Sequence, residues 1–219
     1  MNNLRRCIRG VIAGAVMTCM LAVTAFAYTG AGTINVGTYL NVRSSPSTSA
    51  SIVGKLYNGT KITIVDSTSG WYKISFNGST AWISSSYVAI PSTASRIQTV
   101  INTANNVLGV KYTYGGTTPD TGFDCSGLVL YAFSKAGVTL PHSSSMQATL
   151  GAPVSRANLQ PGDVIFFSTD GSGNINHNGI YIGNGNFINA QSGAGDVRVA
   201  SLSVSYWSTK YITARRYIS

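Results

Sequence analysis

The 219-residue sequence has no glutamate, two histidines and three cysteines. These shortages narrow the chemistry. Two of the cysteines, Cys7 and Cys19, fall within the first 27 residues. Beyond them stand one thiol, two imidazoles and six aspartates, and they do not show the spacing of a zinc site. No metal or other cofactor is therefore expected. Past residue 27 the basic residues are scattered, with no cluster beyond Arg215-Arg216, which argues against nucleic acid as a partner. A membrane-spanning run is also missing. Residues 11–24 are apolar, but the run is short for a span and no stop-transfer pattern follows it.

What is present at the start reads as an export signal over residues 1–27. Arg5, Arg6 and Arg9 form its basic end, and Ala25-Phe26-Ala27 is an A-x-A cleavage site. Val16-Met17-Thr18-Cys19 makes a poor lipidation box, because apolar residues follow its cysteine. Cleavage leaves Cys125 as the one thiol. It has no partner for an internal disulfide, and a leftover cysteine in an exported chain is a candidate reactive group. Twelve basic residues against six aspartates give residues 28–219 a net charge of +6. That charge suits an anionic surface such as a bacterial cell wall, although it also serves solubility alone. The expected product is secreted and wall-associated, monomeric, and free of the membrane once the signal is removed.

Residues 33–89 read as short strands separated by turns. Alternating or apolar segments at 38–43, 52–56, 61–65, 71–76 and 80–83 are broken by Ser44-Ser45-Pro46-Ser47, Asn58-Gly59, Ser69-Gly70 and Asn77-Gly78. The last pair is a strong two-residue hairpin signal. Strands of this length and spacing predict a small all-β barrel. Residues 90–96, with Pro91 and small polar neighbours, read as a linker. Ser95 is then the expected N-cap of a helix, with Gln98 completing a capping box. Ile97, Val100, Ile101, Ala104, Val107 and Leu108 keep helical spacing up to Gly109.

The stretch Gly122-Phe123-Asp124-Cys125-Ser126-Gly127-Leu128 places the lone thiol where a polar loop meets a helix-period apolar run that Gly137 stops. At a helix N-terminus the macrodipole favours an anion, so Cys125 is expected to ionise easily, as a nucleophilic cysteine requires. A buried structural cysteine is the competing reading. Asp124, beside it, opposes ionisation or caps the helix. A thiol nucleophile needs a base and a group that orients the base. His142 lies in a Pro-His-Ser turn and reads as a surface residue or a substrate contact. His177 opens a strand behind a glycine-rich loop, at a sheet edge against which the Cys125 helix can pack. Asn189 falls on the next strand of that hairpin, near enough to accept from an imidazole, or it is an ordinary edge residue. Helices come first and antiparallel strands follow, an α+β arrangement.

Two resemblances add to this. Residues 33–89 resemble the bacterial SH3-like wall-binding domain, through Leu40-Asn41-Val42-Arg43-Ser44-Ser45-Pro46, Asn58-Gly59-Thr60, Gly70-Trp71-Tyr72-Lys73-Ile74 and Ala81-Trp82-Ile83. The family implies binding to peptidoglycan peptides. Trp71, Tyr72, Trp82 and Tyr87 are candidates for its groove, and equally for the barrel core. Residues 97–219 resemble the NlpC-type peptidases, papain-like cysteine endopeptidases of bacterial walls. The matching runs include Tyr112-Thr113-Tyr114-Gly115-Gly116, Asp124-Cys125-Ser126-Gly127, Ser143-Ser144 with Gln147, His177 with Gly179-Ile180-Tyr181, and Phe187-Ile188-Asn189-Ala190.

The second resemblance implies that Cys125 is the nucleophile, His177 the base and Asn189 the third polar residue, a position most often histidine in the family. It implies that Tyr112 helps the Cys125 N–H hold the oxyanion. Asp124 and Ser126 then contact the free amino end of a stem peptide. The Ser143-Ser144 pair borders the substrate, with His142 where the family usually has arginine. The implied reaction cuts the stem peptide between γ-D-glutamate and the diamino acid through a thioester. Two other readings stay open on sequence alone: a wall-binding protein with an inactive papain-like domain, and a papain-like amidase or acyltransferase acting on other amides.

Overall fold

The computed structural model describes residues 28–219; the expected signal at 1–27 lies outside the described residues. The first unit is an all-β barrel. Its strands are β1 (Gly30–Ile34), β2 (Tyr39–Arg43), β3 (Ile52–Tyr57), β4 (Lys61–Thr68), β5 (Trp71–Phe76), β6 (Ser79–Ser84) and β7 (Val88–Ala89). They pair antiparallel in the order β3-β2-β6-β5-β4-β1-β7. Alternation decides which side chains go inside: Leu40 and Val42 from β2, Ile62 and Ile64 from β4, Ile74 from β5, Ala81 and Ile83 from β6. Asn77 and Gly78 both take positive φ, 49° and 76°, and Phe76 pairs with Ser79, so the expected two-residue hairpin forms.

Tyr72 packs on the barrel core. Trp71 and Tyr87 instead line an open groove of about 680 Å³, together with Tyr39 and Asn41. Trp82 lies outside that groove, with the Lys73 ammonium 5.8 Å from its ring centre. The four aromatic candidates therefore divide between core, groove and surface.

The second unit begins with α1 (Thr93–Asn105). Its N-cap is Ser92, whose hydroxyl accepts from Ser95 N–H at 3.2 Å. This corrects the expected cap at Ser95. Either serine suits the role, and the earlier one adds a helical turn, so the helix takes up part of the stretch read as linker. Gln98 does not close a capping box; it donates to Asn102 Oδ1 at 2.7 Å along the helix face. After the two-residue strands β8 (Thr117–Thr118) and β9 (Gly122–Phe123) comes α2 (Cys125–Lys135), then the single turn α3 (Ser144–Gln147).

The remaining elements are β10 (Ala152–Val154), β11 (Val164–Phe167), β12 (His177–Gly183), β13 (Asn186–Gln191), β14 (Asp196–Ser201), α4 (Ser205–Lys210) and β15 (Tyr211–Arg216). The sheet is antiparallel, ordered β10-β15-β11-β12-β13-β14. The arrangement is α+β, as expected. Helices α1 and α2 cover one face, where Val164, Phe166, Ile180, Ile188 and Ala190 are buried with Val100, Val129 and Phe133. The other face carries Ile165, Phe167, Phe187 and Ala214 under Leu202 and Trp207. Because both faces are covered, Val164–Phe167 is apolar throughout instead of alternating.

Helix α2 ends in a Schellman motif: Gly137 has φ +73°, Val138 N–H donates to Phe133 O, and Gly137 N–H donates to Ser134 O. The barrel touches the second unit at this end. Thr29 N–H donates to Gly137 O at 3.1 Å; within the second unit, Arg96 Nε–H from α1 donates to the neighbouring Ala136 O at 3.0 Å. The Arg96 guanidinium lies 4.9 Å from the centre of the buried Tyr28 ring.

Candidate active site

The loop before α2 brings the aromatic rim to the thiol. Tyr112 bridges to Phe123, Thr113 N–H donates to Phe123 O, and Asp124 N–H donates to Gly116 O. Gly127 lets this loop lie flat on the helix start, since any Cβ there would collide with the Gly116 carbonyl. Asp124 is the N-cap of α2. Its Oδ1 accepts from Gly127 N–H at 2.7 Å and from Ser126 Oγ–H at 3.0 Å, and its Oδ2 accepts from Gly115 N–H at 3.0 Å. His142 Nε2–H donates to the same carboxylate, 2.9 Å from Oδ2 and 3.0 Å from Oδ1.

Tyr112, Asp124, Cys125, Ser126, Ser143 and Ser144 line one pocket of about 430 Å³, with His142, Asn176 and the exposed Tyr114 also on its wall. Six of the eight expected site residues thus meet in one place. Ser126 is nearly buried and its hydroxyl is already donated to Asp124; Ser143 caps α3, accepting from Met146 N–H at 3.4 Å.

The other two lie behind the pocket wall. His177 is 8% exposed and Asn189 fully buried. Asn189 Nδ2–H donates to Arg198 O on β14 at 3.3 Å, which turns Oδ1 toward the imidazole. His177 Nε2 lies 2.9 Å from that oxygen and therefore carries the proton, leaving Nδ1 as the basic atom. Trp207 stacks on the ring, with centroids 5.3 Å apart and planes 26° apart, and Phe167 lies 6.0 Å away. Trp207 was not legible as a site residue. It comes from α4, a six-residue helix with one buried side chain and no sequence periodicity to announce it.

The Cys125 sulfur lies against β12, where the N–H of Asn178, the residue after His177, favours its anion. The expectation of an easily ionised thiol is corrected, however. Burial first, and then the negative charge of Asp124, push the thiol up to about 11, against the pull of the Asn178, Ser126 and Cys125 N–H groups. Burial pushes His177 down to about 4, with the Asn189 bond opposing. At neutral pH the resting site therefore holds a thiol and a neutral imidazole. Tyr112 is raised by burial and next by the proximity of Cys125, which places its hydroxyl in the same field.

A thiol at a helix N-terminus, an imidazole oriented by a buried amide, and a neighbouring phenol can carry out nucleophilic attack on a carbonyl. Known proteins similar to the chain are named as hydrolases and endopeptidases. The profile of the NlpC/P60 family matches residues 109–216, and that of the bacterial SH3 domain matches residues 38–89. The chain is 44% identical over 119 residues to the gamma-DL-glutamyl hydrolase of Bacillus subtilis, covering 53% of this chain and 29% of that protein. It is 40% identical over 115 residues to the murein DD-endopeptidase MepH of Escherichia coli, covering 51% of this chain and 42% of that protein. The chain thus spans less than half the length of either relative. The structure of NlpC2 from Trichomonas vaginalis superposes with a TM-score of 0.60 at 26% identity, covering 87% of this chain and 73% of that one. With the matched residues and the order of the two units in agreement, and with the P60 domain of the Mycobacterium avium subspecies paratuberculosis antigen MAP1204 superposing at 31% identity and a TM-score of 0.51 over 98% of its length and 58% of this chain, the chain belongs to the NlpC/P60 family and carries a bacterial SH3 domain ahead of the family's own domain.

Proposed function

We propose that the chain is an exported peptidoglycan hydrolase, a cysteine endopeptidase acting on wall stem peptides. The observation that carries this reading is the buried His177 ring, fixed by Asn189 with Nδ1 left basic, on the strand against which the Cys125 sulfur rests. Sγ attacks the amide carbonyl carbon, and its proton passes to His177 Nδ1. The oxyanion meets the Cys125 N–H and the Tyr112 hydroxyl, donors of a kind worth about 3 kcal/mol of barrier each. The C–N bond then breaks, the amine leaves with the proton from His177, and a thioester remains. Water, deprotonated by His177, adds to the thioester and releases the acid and the thiol. Because the resting thiol is neutral, proton transfer accompanies attack instead of preceding it.

The name of the murein endopeptidase supports the substrate class, and the two relatives' names divide on the bond, one a γ-DL-glutamyl and the other a DD linkage. By family resemblance the bond is the one between γ-D-glutamate and the diamino acid. On this reading residues 1–27 are removed on export, the SH3-like unit at 33–89 holds the wall, and a monomer whose net charge is +6 over residues 28–219 works at an anionic surface. Asp124 and Ser126 receive the free amino end of the peptide, and Ser143 and Ser144 border it.

The test is Cys125→Ala. It is expected to abolish release of stem-peptide fragments from purified walls while wall binding persists, with the cut bond identified by mass spectrometry on defined muropeptides. Undiminished release sinks the reading. The neutral resting thiol is the one observation that favours a catalytically idle wall binder. A wild-type protein that binds walls but releases nothing would select that alternative.

A further inference from the structure

Gln147, the last residue of α3, is fully buried, yet it stands outside the pocket and none of the steps above uses it. Its side chain is saturated. Both Nε2 hydrogens are donated, one to Ser126 O at 3.1 Å and one to Pro141 O at 2.7 Å. Its Oε1 accepts from Asn178 Nδ2–H at 2.6 Å. The orientation is unambiguous, because a flipped amide would set oxygen against two carbonyls and nitrogen against a donor. The backbone is pinned as well: Tyr217 O–H donates to Gln147 O at 2.9 Å, and Gln147 N–H donates to Ser143 O.

The two groups joined through this amide are informative. Ser126 follows Cys125, and Asn178 follows His177. Asn178 is itself fully buried, and its Oδ1 has no partner among the described residues, so Gln147 supplies the hydrogen bond that holds its side chain. The backbone N–H of Asn178 is one of three that favour the Cys125 anion, with those of Ser126 and Cys125 itself. We propose that Gln147 is a positioning residue that sets the separation of nucleophile and base by clamping the start of α2 to the start of β12. It touches neither substrate nor the reacting atoms. A hydrophobic residue of this size would fill the space, but it would leave Asn178 free to turn and withdraw a donor from the buried Ser126 carbonyl and the part-buried Pro141 carbonyl.

The proposal rests on the assignment of Cys125 and His177 above, so the experiment uses two readouts that fail separately. One is the pH dependence of Cys125 alkylation by iodoacetamide, which needs no substrate. The other is kcat and KM on a defined muropeptide. The variants are Gln147→Leu, Asn178→Val, the double variant and Gln147→Glu in the full chain, each with thermal unfolding measured.

Gln147→Leu and Asn178→Val are each expected to lower kcat roughly ten- to hundredfold through misplacement of the reacting groups. KM is expected to stay within about twofold, since no transition-state-independent binding is removed. The alkylation profile should shift in both variants. The double variant should lose no more than the worse single one, because both cut the same link. In Gln147→Glu the buried carboxyl protonates on the acid side, donates to one carbonyl and still accepts from Asn178, so relative turnover should recover as pH falls. Unchanged kcat with a superimposable alkylation profile in folded variants overturns the proposal. So do losses that add in the double variant, or that follow the unfolded fraction alone. If the wild type turns over no muropeptide, the peptidase reading fails, and the alkylation profiles still decide on Gln147.

Discussion

Asn189 Oδ1 receives the N–H of the neutral His177 ring and so decides which nitrogen is basic. Removing it frees the ring to take the other tautomer. Asn189→Ala is expected to cost about 2 kcal/mol in the transition state, roughly thirtyfold in kcat. Asn189→His keeps an acceptor and should retain most of the activity; steady-state rates on one muropeptide compare the two. Trp207 governs the same ring differently, by keeping water away. Trp207→Ala exposes the imidazole, makes its cation cheaper, and lets its pKa climb from about 4 toward the ordinary value of about 6.5. The base works only when neutral. The acid limb of kcat/KM should therefore move to higher pH in the variant, and an unmoved limb would mean that the packing of Trp207 does not set the pKa.

At the scale of elements, α2 carries a conflict at its first turn. Its cap, Asp124, satisfies the helix N-terminus and at the same time opposes the thiolate next to it. Asp124→Asn keeps an oxygen for the Gly127 N–H but drops the charge. The thiol pKa should fall from about 11, and iodoacetamide should label Cys125 faster near neutral pH, even as the amino end of the substrate loses its counter-charge and KM rises. Much of this element was legible in advance. The thiol at the helix start, the stop at Gly137 and the hairpin that brings His177 and Asn189 together all follow from local rules of period, cap and turn. Five of the seven barrel strands were legible from alternation and turns, clearest in β2, β4 and β6 where buried and exposed residues alternate; β1 and β7 were not read, one lying almost wholly before the expected barrel and the other only two residues long. The state of the thiol was not, because the helix end argues for the anion while burial and the Asp124 charge argue against it, and depth is invisible in one dimension. Nor was α4, whose single buried Trp207 sets no period, or the true start of α1, where Ser92 and Ser95 are equally good caps three residues apart.

Across the whole molecule, the two units are joined by more than their connecting chain. Tyr28 belongs to the barrel core, while its neighbour Thr29 bonds to Gly137 and Arg96 from α1 lies over its ring. Cleavage after Ala27 would make Tyr28 the first residue of the exported protein. Tyr28→Ala removes both the core contact and the platform for Arg96. It should expose the segment at 90–92 to limited proteolysis and lower the unfolding temperature, with single-turnover chemistry on soluble muropeptides little changed.

The junction grips α2 at one end, and the sulfur sits at the other. The helix has eleven residues, so the two lie roughly 16 Å apart along its axis. A rod of that length fixes how far the sulfur stands from the junction, so lengthening or shortening α2 by one turn would move the thiol about 5 Å relative to the barrel.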